Sequence, residues 1–441
     1  MLVKCLSFLT AKTQLSIIKV CRHFRAHAID APSLWACVDY IQHPTALSFV
    51  LERAKDWPVD IIHLRIREQD DPRLPVINSH MNHLRILNLR TACPNFRITS
   101  STFTTPAPML QKLSFYFSTL HSMPDVGVFP NLSRLRLIST TLSGINYHNF
   151  RAFQTLRTIF ICGIDGRGTD FLASISNQLP EVTTITLQLS NWGPAVGSPA
   201  PAPALRRINI HWNKVGVYAP AEVIPYPEAW NSVQAIYVMH SYKLTLSGNF
   251  PIPAETKPYR SLWVRTSVAG SKGVHVRVVH EDGRERVFCG LNPHVVTGIA
   301  TRIPGLQLTE ITIATTAVAL NVLSDSSWPS LRRIRLVSDT CDTAWFSIFA
   351  RDMFNIPKLE HIELSVDPYV VCGWKTPIAL GVLGCCVAAG HVLQDVTFLG
   401  FAPEELCIAG AKAFADKVVL DRLWREPEDE RVWFTEPAFE L

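Results

Sequence analysis

Leu132-Ser133-Arg134-Leu135-Arg136-Leu137 is the stretch whose reading decides the fold. Leu135 and Leu137 stand two apart, so on a strand both face one side and Arg134 and Arg136 face the other. Leu132, three residues earlier, is where the chain turns into that strand. The same spacing returns at Leu84-Leu87-Leu89, Leu110-Leu113-Phe115, Leu156-Ile159-Ile161, Val182-Ile185-Leu187, Leu205-Ile208-Ile210 and Val233-Ile236-Val238. It continues at Leu308-Ile311-Ile313, Leu331-Ile334-Leu336, Leu359-Ile362-Leu364 and Leu393-Val396-Phe398. First positions follow one another at 26, 22, 24, 26, 23, 28, 75, 23, 28 and 34 residues. The gap of 75 leaves room for two or three divergent units between Val233 and Leu308.

An apolar triplet repeated at this period is the core of a leucine-rich repeat, whose unit runs about 20–29 residues. One unit cannot bury its own apolar face, so neighbours must stack. Return helices are predicted between strands. Gly168 to Leu179 places Phe171, Leu172, Ile175 and Leu179 on one face after Asp170, and Thr343 to Ile356 carries Trp345, Phe346, Phe349 and Phe354. Pro130, Pro180, Pro329 and Pro357 stand just before strands and read as helix stops. The predicted fold class is therefore α/β: a leucine-rich-repeat solenoid, a curved parallel sheet with outer helices. Most units lack the Asn or Cys that normally follows the strand (Ala92 and Thr140 hold that place in two of them), so an irregular curve is expected. Val274 to Phe288 alternates on both sides of Asp282-Gly283 and reads as a β-hairpin insertion.

Composition excludes several classes. The chain has 441 residues, 47% hydrophobic and 18% charged, against roughly 25% charged in ordinary globular chains. That argues for a large buried interior and against disorder. The net charge of +5 is too small over this length to signal nucleic-acid binding. Pro377 to Gly390 is the longest nearly uncharged apolar run, shorter than the roughly 20 residues of a membrane helix, and reads as a buried helix. The 11 cysteines include no CxxC pair, so they read as reduced, buried thiols of a cytoplasmic or nuclear protein.

The N-terminal region carries a resemblance. Val20 to Asp39 (VCRHFRAHAIDAPSLWACVD) resembles the second half of an F-box, whose pattern reads V-C-R-x-W-R-x-x-A and then P-x-L-W. Leu47 to Ile61 (LSFVLERAKDWPVDI) is similar to the linker helix that follows in fungal, basidiomycete-type F-box proteins with degenerate leucine-rich repeats. Two departures stand out. Phe24 replaces the family's Trp, and only Leu2 to Thr10 precede the helix where the family has a Leu-Pro and two short apolar helices. The organisation implied is a truncated F-box-like helical module over 1–40, a linker helix and first strand region over 41–80, a degenerate solenoid over 81–417 with the hairpin near 274–288, and a tail over 418–441.

The resemblance implies a substrate-recognition adaptor of a Skp–cullin–F-box type ubiquitin ligase. Its partners would be a Skp-type adaptor and cullin, weakened by the missing opening, and a substrate protein; no nucleic acid and no membrane are implied. Val20, Cys21, Phe24, Pro32, Leu34 and Trp35 are the implied adaptor-binding residues. A non-ligase interaction scaffold built on the same solenoid is the alternative. The substrate face follows from strand register: Arg90, Lys112, Tyr116, Arg134, Arg136, Arg207, His211, Tyr237, Arg333 and Arg335, accompanied by Asn88, Asn209, Met239, Glu310, His361, Glu363 and Asp395. Arginine, tyrosine and histidine suit recognition, although charge on an exposed strand also serves solvation alone. No catalytic residues, cofactor or metal are expected. His23 with His27 and His80 with His83 have no third ligand or HExxH, and no P-loop or GxSxG is present.

Overall fold

Each triplet ends in a strand of the computed structural model. The structure describes residues 13, 16, 19, 22–39, 41, 43–93, 96–116, 119–120, 122, 125, 127–138, 150, 153–164, 178–189, 202–212, 232–240, 259–266, 274–291, 308–314, 328–338, 354–366, 376–387, 391–399, 403 and 405–421. Two compact units divide the chain: Met1–Gly216 with Val223–Ser241, and Val217–Glu222 with Tyr242–Leu441.

In the first unit a short helix, α1 (Arg22–Ile29), and a 3-10 turn (Pro32–Trp35) lead into β1 (Cys37–Asp39). Helix α2 (Pro44–Ala54), β2 (Val59–Ile66), α3 (Arg73–Ser79) and β3 (Leu84–Thr91) follow. Next come β4 (Arg97–Ile98), β5 (Lys112–Tyr116), β6 (Thr119–Leu120), β7 (Arg134–Ile138) and β8 (Thr158–Ile164). The unit continues with β9 (Thr184–Leu189), β10 (Arg207–Trp212) and β11 (Ala235–His240). Strands β1, β2, β3, β5, β7, β8, β9, β10 and β11 pair in that order, all parallel. Strands β4 and β6 pair with each other.

A tight turn precedes seven of the described strands, β5, β7, β8, β9, β10, β16 and β17. The Leu132 amide donates to Phe129 O at 3.3 Å, Val182 to Leu179 O at 3.2 Å and Leu205 to Ala202 O at 2.9 Å. In the second unit Leu331 bonds Trp328 O and Leu359 bonds Ile356 O in the same way. The sequence at these turns is apolar-Pro-x-apolar, with Pro130, Pro180, Pro203, Pro329 and Pro357 at the first corner, where proline's fixed φ fits a turn. These prolines therefore start turns rather than stop helices. The apolar residue opening each turn is buried, Phe129 and Trp328 being 1% and 0% exposed.

One carbonyl then joins each turn to the next strand. Gln111 O accepts from both Ser133 and Arg134, Ser133 O from Arg157 and Thr158, and Arg157 O from Thr183 and Thr184. Thr183 O accepts from Arg206 and Arg207. Hydroxyls reinforce the series, with Ser133 Oγ on Gln111 O and Thr183 Oγ1 on Arg157 O, both at 3.1 Å. Asn131 and Thr155 side chains reach back to the carbonyls of Pro108 and Pro130. Between turns, Phe129 meets Phe103 edge-on at 5.9 Å and stacks on Phe153 at 6.1 Å.

The second unit holds β12 (Tyr259–Thr266), β13 (Val274–His280), β14 (Glu285–Leu291), β15 (Glu310–Ala314), β16 (Arg333–Ser338) and β17 (His361–Val366). Helix α4 (Thr376–Cys386), β18 (Leu393–Leu399), α5 (Glu405–Ala411) and β19 (Ala415–Asp421) complete it. Strands β12, β15, β16, β17, β18 and β19 are parallel neighbours in that order. Strand β13 pairs antiparallel with β12 and with β14, turning at Gly283, whose φ is 80°. The long gap in the repeat thus contributes, among the described residues, one parallel strand and a hairpin. Helix α4 lies in the apolar run ending at Gly390, and a Cβ on Gly410 of α5 would come within 2.7 Å of Leu380.

These findings correct the predicted fold. Among the described residues, nineteen strands stand against five α-helices, and the second unit's sheet is mixed. A leucine-rich-repeat solenoid with outer helices is not formed. The triplet specifies strand register, but it carries no information about the connection, and the turns claim residues just before each strand. The segments predicted as return helices, Gly168 to Leu179 and Thr343 to Ile356, lie almost wholly outside the described residues. The resemblance to F-box proteins is corrected too. The segment is no separate helical module, because β1 continues from the 3-10 turn and joins the sheet beside β2, with Cys37 opposite Asp60.

Trp35 fastens this entry. Its indole N–H donates to Ala28 O at 2.9 Å and its ring meets Phe49 edge-on at 5.8 Å. A buried ion pair fixes the next connection. Arg73 Nη2 lies 2.5 Å from Asp71 Oδ2, with both side chains under 5% exposed. Arg73 also donates to the carbonyls of Arg65 and Ile41, and Asp71 accepts from the Arg67 and Arg73 amides. Burial alone would raise the Asp71 carboxyl, but the Arg73 hydrogen bonds and charge outweigh it and hold it below the ordinary range.

Phe129→Ala should cost about 3–5 kcal/mol, read as a fall in the denaturation midpoint. Asp71 has its pKa depressed on folding, so its stabilisation is present above the ordinary carboxylate value of about 3.9 and fades as pH falls through the folded value. Asp71→Asn should cost about 3–5 kcal/mol at neutral pH by stranding a buried guanidinium. The variant should also lose part of the acid-limb slope in a pH series of unfolding curves.

Candidate functional site: the polar faces of the sheets

Because side chains alternate on a strand, the aligned register sorts them into rows. In the first unit Leu87, Leu113, Leu135, Ile159, Ile185 and Ile208 form one buried row. The opposite face carries Lys112, Arg134, Thr158, Thr184, Arg207 and Ala235 in one row. A second row there holds Asn88, Ser114, Arg136, Phe160, Thr186, Asn209 and Tyr237. From β5 to β11 every charged residue in these two rows is a cation; the first row continues through Ile86 on β3 to Asp60 on β2, whose carboxylate is paired with Arg85.

Aromatic rings hold the arginines in place. Arg136 Cζ lies 4.8 Å from the Phe160 ring centroid and 5.8 Å from that of Tyr116, and Arg207 Cζ lies 5.0 Å from Tyr237. Such stacking holds a guanidinium in one orientation along the sheet face. Arg134 and Arg207 are exposed; Lys112, Arg136, Tyr116 and Tyr237 are half-buried. Asn209 bonds Thr186 Oγ1 at 2.9 Å.

The corresponding face of the second unit is neutralised internally. Its rows run Ser261, Glu310, Arg333, His361, Asp395, Lys417 and Trp263, Thr312, Arg335, Glu363, Thr397, Val419. Arg335 pairs with Glu363 at 2.7 Å, His361 Nδ1 lies 2.7 Å from Asp395 Oδ2, and Arg260 faces Glu310 at 3.7 Å. The His361 ring is held between carboxylates, with Nε2 3.8 Å from Glu360. That arrangement orients the ring between its carboxylate neighbours.

The predicted residues separate accordingly. Lys112, Arg134, Arg136, Arg207, Tyr116 and Tyr237 share one face, with Arg90 exposed on β3 opposite Tyr116. Arg333 and Arg335 belong to the second unit. His211 is buried at 6% exposed, and burial lowers its pKa to about 4. Leu34 and Trp35 are buried at 3% and 1%, and Pro32 is half-buried. Val20 and Cys21 lie outside the described residues; Phe24 lies on α1. The sequence reading missed Phe160, whose place beside Arg136 follows from the 24-residue spacing.

His83, Cys289 and Cys386 are packed into the fold. His23 and His27 are exposed on α1, and His83 is buried with Nδ1 on Lys55 O. Burial pushes the Cys289 thiol up to about 12 and raises Cys386, with neighbouring Cys385 adding to it, so neither supplies thiolate. Among the described residues no three His, Cys, Asp or Glu gather as metal ligands. Among them too, no helix is long and apolar enough to cross a membrane.

Fold and face together define a class: a protein of stacked strands with an apolar inner face and an outer face carrying ordered, stacked arginines. Comparison with known proteins finds no family model that matches the chain and no curated protein that matches it. The assignment as a ubiquitin-ligase adaptor, or as a scaffold on the same solenoid, is withdrawn with the fold that implied both.

His211 should titrate near 4 in NMR of the imidazole. Its depressed pKa means the unfolded chain binds the extra proton between about 6.5 and 4, so stability should fall with pH across that window. A His211→Phe variant should flatten that part of the curve.

Proposed function

We propose that the chain is a non-catalytic binding protein whose first unit takes an acidic segment of another protein on its cationic sheet face. One contrast carries this reading: from β5 to β10 Lys112, Arg134, Arg136 and Arg207 share rows without a carboxylate, whereas comparable cations of the second unit are mixed with Glu310, Glu363 and Asp395. Strands stand about 4.8 Å apart, so the row from Lys112 on β5 to Arg207 on β10 runs about 19 Å. An extended segment of about six residues covers that distance. Guanidiniums stacked on Phe160 and Tyr237 are already positioned, so less rotamer entropy is lost when carboxylates arrive. The modest charge of the whole chain favours a local acidic patch over a nucleic-acid backbone as the ligand.

Fluorescence anisotropy with a labelled glutamate-rich peptide tests the reading. Binding should weaken as salt rises, and reversing Arg134, Arg136 and Arg207 together to Glu should weaken it by more than about tenfold. Arg333→Glu in the second unit should leave it within about twofold. Equal binding by the triple variant, or stronger binding of a single-stranded oligonucleotide than of the peptide, overturns the proposal.

A further inference from the structure

The last strand, β19, ends its sheet: among the described residues it pairs only with β18. Register places Val418 and Leu420 in line with Val396 and Phe398, which are fully buried on β18. Leu420 nevertheless remains 47% exposed, and no further described strand continues its row. Other apolar exposure gathers nearby in the sequence. Of the five large hydrophobic residues exposed among the described ones, Val392, Leu406 and Leu420 fall between the residue just before β18 and the end of β19, and Leu406 is 72% exposed. An open strand edge beside uncovered apolar side chains invites another strand.

The order of residues in β19 selects the occupant. We propose that β19 pairs antiparallel with β19 of a second copy, about a two-fold axis passing through Val419. In that register Val418 of each copy lies opposite Leu420 of the other, extending the apolar row across the seam. On the other face Lys417 of each copy lies opposite Asp421 of the other, giving two complementary charge pairs by symmetry. Moving the axis half a residue toward Val418 sets Asp416 against Asp421 and Lys417 against Leu420. Centring it on Val418 sets Asp416 against Leu420. Only the Val419 register matches both faces, so charge and hydropathy agree on one self-complementary pairing. This interface lies in the second unit and does not depend on acidic ligands binding to the first.

Sedimentation velocity on the full chain over a micromolar concentration series tests it. The native chain should shift from monomer to dimer with concentration. Leu420→Asp should leave it monomeric, and Lys417→Asp should weaken the dimer by about tenfold or more. Combining Lys417→Asp with Asp421→Lys should restore it, since the charges are exchanged rather than lost. Circular dichroism melts check that each variant remains folded, and Lys417→Ala serves if the reversal does not fold. A monomer at every concentration, a dimer indifferent to Leu420→Asp, or a charge exchange that fails to restore dimer overturns the proposal.

Discussion

A single backbone device orders this structure: a turn whose apolar first residue is buried, followed by a carbonyl that accepts two successive amides of the next strand. Gln111, Ser133, Arg157 and Thr183 form one such series, and Thr309, Arg332 and Glu360 form another. Parallel strands cannot be set by a short hairpin, so their register has to be fixed elsewhere. Here it is fixed at the strand's entrance. A one-residue slip would carry Leu135 and Leu137 to the polar face and Arg134 and Arg136 into the interior, so the position of these arginines is a consequence of where the turns close.

That constraint also explains how much of the fold was legible. Leu84, Leu87 and Leu89 announce a strand because period two and a fixed offset are backbone properties. The connections were not legible from the same pattern, since an apolar triplet is compatible with a helix, a turn or a hairpin between its repeats. A second signal was available in Phe129-Pro130-Asn131-Leu132 and Trp328-Pro329-Ser330-Leu331. Read as apolar-Pro-x-apolar, it specifies the turn; read as proline alone, it suggests a helix stop. The Pro32-Leu34-Trp35 segment misled for a related reason. A local string resembling a known module says how a short turn packs, and here that turn delivers β1 to a sheet.

The site was legible row by row but not in its chemistry. Alternation placed Arg134, Arg136 and Arg207 on the open face, while the ring beneath each arginine depended on which residue the neighbouring strand brought alongside. His211 was placed on the same face by alternation, yet it is buried, because alternation gives direction and says nothing of what lies above. In the second unit the same alternation yields Arg335 beside Glu363 and His361 beside Asp395, so similar rows become a neutralised surface. Charge pairing across strands, invisible in any single repeat, separates a face that can attract an anion from one that has satisfied itself.

The most direct measurement joins the ligand covalently where it sits. Carbodiimide coupling of a bound glutamate-rich peptide, mapped by mass spectrometry, should attach it to Lys112 in preference to the more exposed Lys358 of the second unit. Conjugation spread over lysines in proportion to their exposure, or centred on Lys358, would contradict a cationic recognition face in the first unit.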